Sequence, residues 1–230
     1  MSVKEMARGT TPAAPLREAQ RDKSRDVRHE AAATEARERR EPREGTRRED
    51  RDARDAAQGV LALDEERIDL ARRRLEDGAV TPSYGPYRDS IVELLDAALA
   101  TELVCVLRYK RHHFTAKGLA SPAVAAEFLA HANEEAAHGD RLAERIVQLG
   151  GEPDFSPDTL LQRSHAEYDD ATDLHSMLLA NLRAERVAIE TYRQMIQLIG
   201  DRDPTTRRLL EDILCQEEEH ADELKDLLEE

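Results

Sequence analysis

Two short runs carry the chemistry of this chain. Glu135 and His138 form a Glu-x-x-His within residues 128–142, and the same spelling returns as Glu217-Glu-Glu-His220. Three residues apart on a helix, the two side chains leave the same face. Val124, Phe128, Leu142, Ile146 and Leu149 share that face around the first pair. Leu210, Ile213, Leu224 and Leu227 share it around the second. Both pairs therefore point inward. One Glu-x-x-His is a common accident on a charged helix, whereas two inward-facing copies form a pattern.

Other residues stand opposite them in phase. Glu102 interrupts an apolar stripe between Ala98 and Val106, and Glu185 does so between Leu182 and Ile189. Glu102 precedes Glu135 by 33 residues and Glu185 precedes Glu217 by 32. Tyr109 and Tyr192 each follow the first glutamate of their unit by seven. The chain thus reads as two copies of one unit, Glu … Tyr … Glu-x-x-His, packed face to face.

Four carboxylates in a core repel one another, and each ion desolvated alone costs several kcal/mol. Two divalent cations would balance Glu102, Glu135, Glu185 and Glu217, and His138 and His220 would add one neutral nitrogen to each. Carboxylate-rich sites with a single imidazole per metal suit iron or manganese rather than thiolate-seeking metals. The competing reading places these residues on solvated faces, since 36% of the chain is charged. Six residues in matching phase count against it.

These side chains need helices to hold them. The expected fold is all-α, a four-helix bundle with a long crossover between its second and third helices. Pro86 opens the first helix, which ends near Gly118. Ser121-Pro122 supplies an N-cap and a first-turn proline for the second, and Gly150-Gly151 stops it. Residues 152–171, with Pro153 and Pro157, read as the crossover with one short helical turn. The third helix runs from about Thr172 to Ile199, and Asp203-Pro204 starts the fourth. Short links make each pair an antiparallel hairpin, and the long link crosses the bundle. Residues 87–230 form this expected domain. Residues 59–86 are a short amphipathic helix (60–77) and linker.

Residues 1–58 differ in kind. They hold 15 Lys/Arg against 13 Asp/Glu, a balance of +2, and leave −17 of the total −15 to the remainder. No aromatic appears before Tyr84, and apolar residues are too sparse to offset ordering entropy. This segment is expected to be a disordered Arg/Glu-rich tail. Its arginines could touch nucleic acid, but its own acids and the −17 body oppose that. No apolar run approaches the ~20 residues of a membrane span, and the opening residues lack a secretory h-region. Cys105 and Cys215 make no disulfide framework, so a cytoplasmic setting is expected.

The set Glu102, Glu135/His138, Glu185, Glu217/His220 resembles the di-iron carboxylate site of the ferritin-like superfamily. Residues 88–230 are most similar to bacterioferritin and the Dps-like ferritins. The similarity runs through Thr101-Glu-Leu with Tyr109 and His112, through the run from Glu135 to Ile146, and through Glu217-Glu-Glu-His-Ala-Asp-Glu-Leu. It implies that Glu135 and Glu217 bridge two irons, that Glu102 and Glu185 are terminal ligands, and that each histidine binds one metal. It implies a ferroxidase that oxidises Fe(II) with O2 or H2O2 for iron storage, with Tyr109 and Tyr192 donating an electron or a hydrogen bond. The alternatives are a rubrerythrin-like or manganese-catalase-like peroxide-detoxifying enzyme, or a Dps-like DNA-protecting shell.

Departures from the family pattern set further expectations. Ala136 replaces a haem-ligating Met, which speaks against haem. Glu134 and Gln216 stand where Asp residues steer the ligand histidines. The chain stops with its fourth helix, which favours a homo-oligomer of twelve over a 24-subunit cage. Cys105 reads as a core cysteine at the cavity edge, and Cys215 as interfacial. His131 lies one turn before Glu135, and the sequence leaves open an auxiliary metal or proton-relay role and simple core hydrogen bonding. His112 and His113 are expected at the surface or an interface.

Overall fold

The structure is a computed structural model that describes residues 61–229 except Leu119. The chain divides after Asp64, and the unit from Glu65 to Glu230 carries every element below. The expected tail over residues 1–58 lies outside the described residues.

Helix α1, Glu65–Arg73, has acidic residues in its first turn and basic ones in its last, and it buries no side chain. It is shorter than the expected 60–77. With no side chain buried, it depends largely on end charges and propensity, and it gives way to a 3-10 turn at Leu75–Asp77 before Gly78 at φ +57°. A second 3-10 segment, Pro82–Tyr87, leads into helix α2, Arg88–Thr115.

Helix α3 spans Ser121–Gln148. Ser121 is its first helical residue rather than its N-cap: Ala120 takes the cap position without a side-chain bond, and Ser121 Oγ donates to Gly118 O at 2.8 Å. Pro122 keeps its place in the first turn, where a missing N–H costs nothing. Gly151 follows α3 in a close approach, because a Cβ there would stand 2.8 Å from Val92 Cγ1 and 2.9 Å from Ile146 Cγ2. The crossover carries the single turn α4, Leu160–Arg163. Helix α5, Leu174–Ile199, is capped by Asp173, which accepts from Ser176 N at 2.9 Å, and Gly200 follows at φ +52°. Asp203 accepts from Thr206 N at 3.0 Å at the head of α6, Pro204–Glu229.

Helices α2 and α3 form one hairpin and α5 and α6 the other, and α2 packs on α5 as α3 packs on α6. The crossover is tied to α2: Asp96 accepts from Asp154 N at 2.9 Å and from Arg163 Nη1 at 3.0 Å, and Thr101 Oγ1 accepts from His165 N at 3.0 Å. Thr101 adjoins Glu102, so this strap also steadies the turn that presents a candidate ligand.

The core is split. One apolar cluster gathers Leu95, Leu99, Leu142, Ile146, Tyr192, Met195 and Ile213. The other gathers Val104, Cys105, Tyr109, Phe128, Met177, Leu178 and Leu224. Each fully buried aliphatic or aromatic side chain stabilises the fold by ~1.5–3 kcal/mol, which offsets the cost of burying carboxylates between the two clusters. All described elements are helical, and none of these helices is long and apolar enough to cross a membrane.

Candidate metal centre

Glu102, Glu135, His138, Glu185, Glu217 and His220 converge in the gap between the clusters, each at most 2% exposed. His138 Nδ1 lies 3.0 Å from Glu217 Oε1, 3.4 Å from Glu135 Oε2 and 3.6 Å from Glu102 Oε2. His220 Nδ1 lies 3.5 Å from Glu135 Oε1, 3.9 Å from Glu217 Oε2 and 4.0 Å from Glu185 Oε2. Two groups result, Glu102/Glu135/His138/Glu217 and Glu135/Glu185/Glu217/His220, and the donor atoms within each lie within 4.8 Å of one another. Glu135 and Glu217 belong to both. Either group could hold a metal ion.

The outer contacts fix which atoms remain for a metal. Tyr109 donates to Glu185 Oε1 and Tyr192 to Glu102 Oε1. His138 Nε2 meets Gln216 Oε1 at 3.1 Å, and His220 Nε2 meets Glu134 Oε2 at 2.6 Å. The steering residues act across the bundle, each on the histidine of the other Glu-x-x-His helix. Neutral Gln216 fills the role by its amide oxygen. Among the described residues, Glu102 Oε2, Glu185 Oε2, both oxygens of Glu135 and of Glu217, and Nδ1 of both histidines are buried with no hydrogen-bond partner. Buried polar atoms are seldom left so. Every unpaired atom at this centre is a metal donor facing its neighbours, and the set fits two hard or borderline cations.

Electrostatics agree. Burial, with the negative charge of Glu135, pushes the carboxyls of Glu102, Glu185 and Glu217 above the usual range. Burial would raise Glu135 too, but Glu102, His138 and His220 around it hold it below. Burial opposes charge on the histidines, yet the surrounding carboxylates push His138 well up and His220 up to about 9. Protons do in the metal-free centre what cations do in a loaded one. Burial also raises both tyrosines, which therefore stay protonated donors.

Other residues depart from expectation or go beyond it. His112 is fully buried, not superficial: it continues the inward stripe three residues past Tyr109, bonds Asn181 Nδ2 at 3.1 Å and faces Asp169 at 3.4 Å. His113 is half-buried, its Nδ1 2.6 Å from Ala125 O. Arg108, unnoticed in the sequence because arginine is rarely buried, is fully enclosed and donates to Asn181 Oδ1, Glu167 O and Cys105 Sγ. Cys105 is buried in the core and Cys215 is exposed. His131 is buried beside the centre, its Nδ1 3.2 Å from Tyr109 Oη and its ring stacked on His220 at 4.2 Å.

Two groups of three carboxylates and one imidazole, sharing two carboxylates inside a crossover four-helix bundle, define a candidate di-metal carboxylate protein. The chain belongs to the ferritin-like family, whose ferritin-like domain matches residues 92–230. It is 34% identical over 136 residues to a nutrient stress-induced DNA-binding protein of Synechococcus sp., covering 57% of this chain and 76% of that one. It is 28% identical over 140 residues to a bacterioferritin of Desulfovibrio desulfuricans, covering 56% and 69%. Among solved structures it is similar to a dodecameric thioferritin, the bacterioferritin-related protein of Bacteroides fragilis, at TM-score 0.60 and 29% identity, covering 72% of this chain and 93% of that one.

Proposed function

We propose that the protein is a ferroxidase that takes two Fe(II) ions per chain, oxidises them with O2 or H2O2, and retains the Fe(III) for storage or detoxification. The observation that carries this reading is the set of buried, unpartnered donor atoms on Glu102, Glu135, His138, Glu185, Glu217 and His220. Two Fe(II) release two electrons. With two protons these convert O2 to H2O2, or H2O2 to two waters.

The residues divide the work. Glu135 and Glu217, with both oxygens free, span the two positions, while Glu102 and Glu185 each serve one. Tyr109 and Tyr192 hold the terminal carboxylates by their second oxygens and keep a proton close to the oxidant. Gln216 and Glu134 fix the histidine rings so that Nδ1 faces inward. Manganese would suit the same donors, so metal analysis of protein from unsupplemented cells, with a peroxide-disproportionation assay, separates this reading from a manganese catalase. Anaerobic Fe(II) titration followed by O2 tests the main reading. Binding well short of two irons per chain, or oxidation no faster than in buffer, overturns it.

Storage requires an enclosure, and the likeness to a dodecameric thioferritin supports a twelve-subunit homo-oligomer. Mass photometry of iron-free protein checks it: a stable monomer or dimer removes the store and leaves only the oxidation chemistry. A second reading, a DNA-protecting shell, draws support from the name of the Synechococcus relative. A gel shift that persists in moderate salt and vanishes when residues 1–58 are removed would favour it.

A further inference from the structure

We infer that Glu127, His131 and Glu223 form a third divalent-cation site, separate from the di-metal centre, through which that centre is loaded from the outer face between α3 and α6. The loading role rests on the ferroxidase reading, whereas the site itself does not. Donor atoms of the three residues lie within 4.8 Å of one another. His131 Nε2 stands 2.9 Å from Glu223 Oε2 and 3.3 Å from Glu127 Oε1. Two partly exposed carboxylates alone would be an ordinary solvated pair. Here they close over an imidazole that is 1% exposed.

The placement of that imidazole points to a cation. Tyr109 donates to Glu185 Oε1, and His131 Nδ1 meets the phenol oxygen at 3.2 Å, which turns the opposite edge of the ring toward Glu127 and Glu223. Its Nε2 lies within 3.3 Å of an oxygen of each carboxylate. A positive charge among the three relieves that arrangement, and an imidazole nitrogen with two carboxylate oxygens is a donor set for Fe(II), Mn(II), Co(II) or Zn(II).

The internal repeat shows that this cluster belongs to one half alone. The two Glu-x-x-His helices superpose at an offset of 82 residues, which pairs Glu127 with Leu209, His131 with Ile213 and Glu223 with Arg141. One half therefore has two carboxylates and an imidazole where the other has two aliphatic side chains and an arginine. Ile213 is fully buried in the apolar cluster with Tyr192, so the corresponding place in the second unit is plugged. The unplugged place adjoins a candidate ligand directly, because the His131 ring stacks on His220 at 4.2 Å with 22° between planes. A cation held by Glu127, His131 and Glu223 is one ring away from the His220 position.

Anaerobic Co(II) titration of the full chain, read by calorimetry and visible absorption, tests the site in wild type and in Glu127→Gln/Glu223→Gln. Both glutamates are substantially exposed, so the double variant should fold normally. Three ions per chain in wild type and two in the variant are expected, with the two retained ions unchanged in spectrum. Two ions in both proteins overturn the third site and leave the ferroxidase reading standing. One ion in wild type and none in the variant would uphold the third site and sink the di-metal reading instead. For loading, the variant should oxidise substoichiometric Fe(II) about tenfold more slowly while still binding two irons at saturation. An unchanged rate overturns the loading role. His131→Ile, which copies the second unit, should reproduce the loss of one ion.

Discussion

The two hairpins present the same candidate donors in different surroundings. At an offset of 83 residues, Cys105, Arg108 and His112 of α2 correspond to Ala188, Thr191 and Met195 of α5, and Asn181 corresponds to Ala98. Tyr109 therefore sits beside a polar network, in which Arg108 Nε donates to Asn181 at 2.8 Å and Asn181 bonds His112. Tyr192 sits in an apolar cluster. The two halves repeat the candidate donors and differ in what surrounds them. The two candidate metal positions are thus equal in donor count and unequal in electrostatics.

The largest expected effect comes from ligands that belong to both positions. Glu217→Ala should abolish tight binding of either metal and slow rapid Fe(II) oxidation by more than the ~100-fold that loss of an outer partner can cost. Glu102→Ala and Glu185→Ala should each remove one ion and leave the other, as counted by anaerobic Co(II) titration. Helix content by circular dichroism should survive in all three, because the substitutions remove repulsion from the core. Retention of both ions in Glu217→Ala would show that neither half depends on Glu217.

The comparison extends to two buried arginines at opposite ends of the bundle. Arg145 binds Asp203 through Nη2 at 2.9 Å and also reaches Thr206 and Tyr84. Arg108 reaches only neutral groups. Arg145→Ala strands a buried carboxylate and should cost about 3–5 kcal/mol. Arg108→Met leaves neutral acceptors unpaired and should cost about 1–3 kcal/mol. Urea denaturation of metal-free protein reads both. Equal losses would mean that the paired charge at Asp203 adds nothing.

Removing metal should reveal a pH dependence of definite sign. Glu102, Glu185 and Glu217 are raised in the folded chain, as are His138 and His220. The folded state then holds more protons than the unfolded one, and stability falls as pH rises. The His220 contribution is complete below the ordinary value of 6.5 and is lost as pH climbs through about 9. Glu135 is depressed and acts the opposite way, but only below the ordinary carboxylate value. Calorimetry of metal-free protein should show Tm falling from pH 6.5 to 9. The loaded protein should gain on it over the same window, since cations displace the protons. A metal-free Tm that rises across this window would break the account.

The convergence of the six candidate donors was legible in the sequence because helical phase alone carries it: they stand on inward stripes, repeated at near-equal spacing. The four long helices followed from apolar periodicity and from Pro and Gly at their ends. Contacts that cross between helices were not legible. Glu134 and Gln216 stand out in the sequence as replacements for aspartates, but only the packed bundle shows that each serves the histidine on the opposite helix. Arg108 is hidden for a related reason. A charged residue inside a stripe reads as solvated until Asn181, 73 residues away, supplies its acceptor. His112 lies three positions past Tyr109 and reads as exposed from its nearness to a helix end, whereas it is buried and faces the crossover residue Asp169 at 3.4 Å. Ser121 matched the cap preference, yet the helix begins one residue earlier.

The smallest expected effect tests the inequality between halves most directly. His220 Nε2 is backed by a carboxylate oxygen at 2.6 Å and His138 Nε2 by an amide oxygen at 3.1 Å. A carboxylate acceptor makes the imidazole a stronger donor to metal through Nδ1. The His220 position should therefore fill first in a Co(II) titration. Gln216→Glu should tighten the His138 position by about tenfold, and Glu134→Gln should loosen the His220 position by a similar factor, at the low end for outer partners. Neither side chain is fully buried, so folding should be unaffected. The double exchange moves the carboxylate from one half to the other and should invert the filling order without changing the number of ions bound. If the order persists, the inequality belongs to the Arg108 network and the acidic cluster around His131 rather than to the residues behind the histidines.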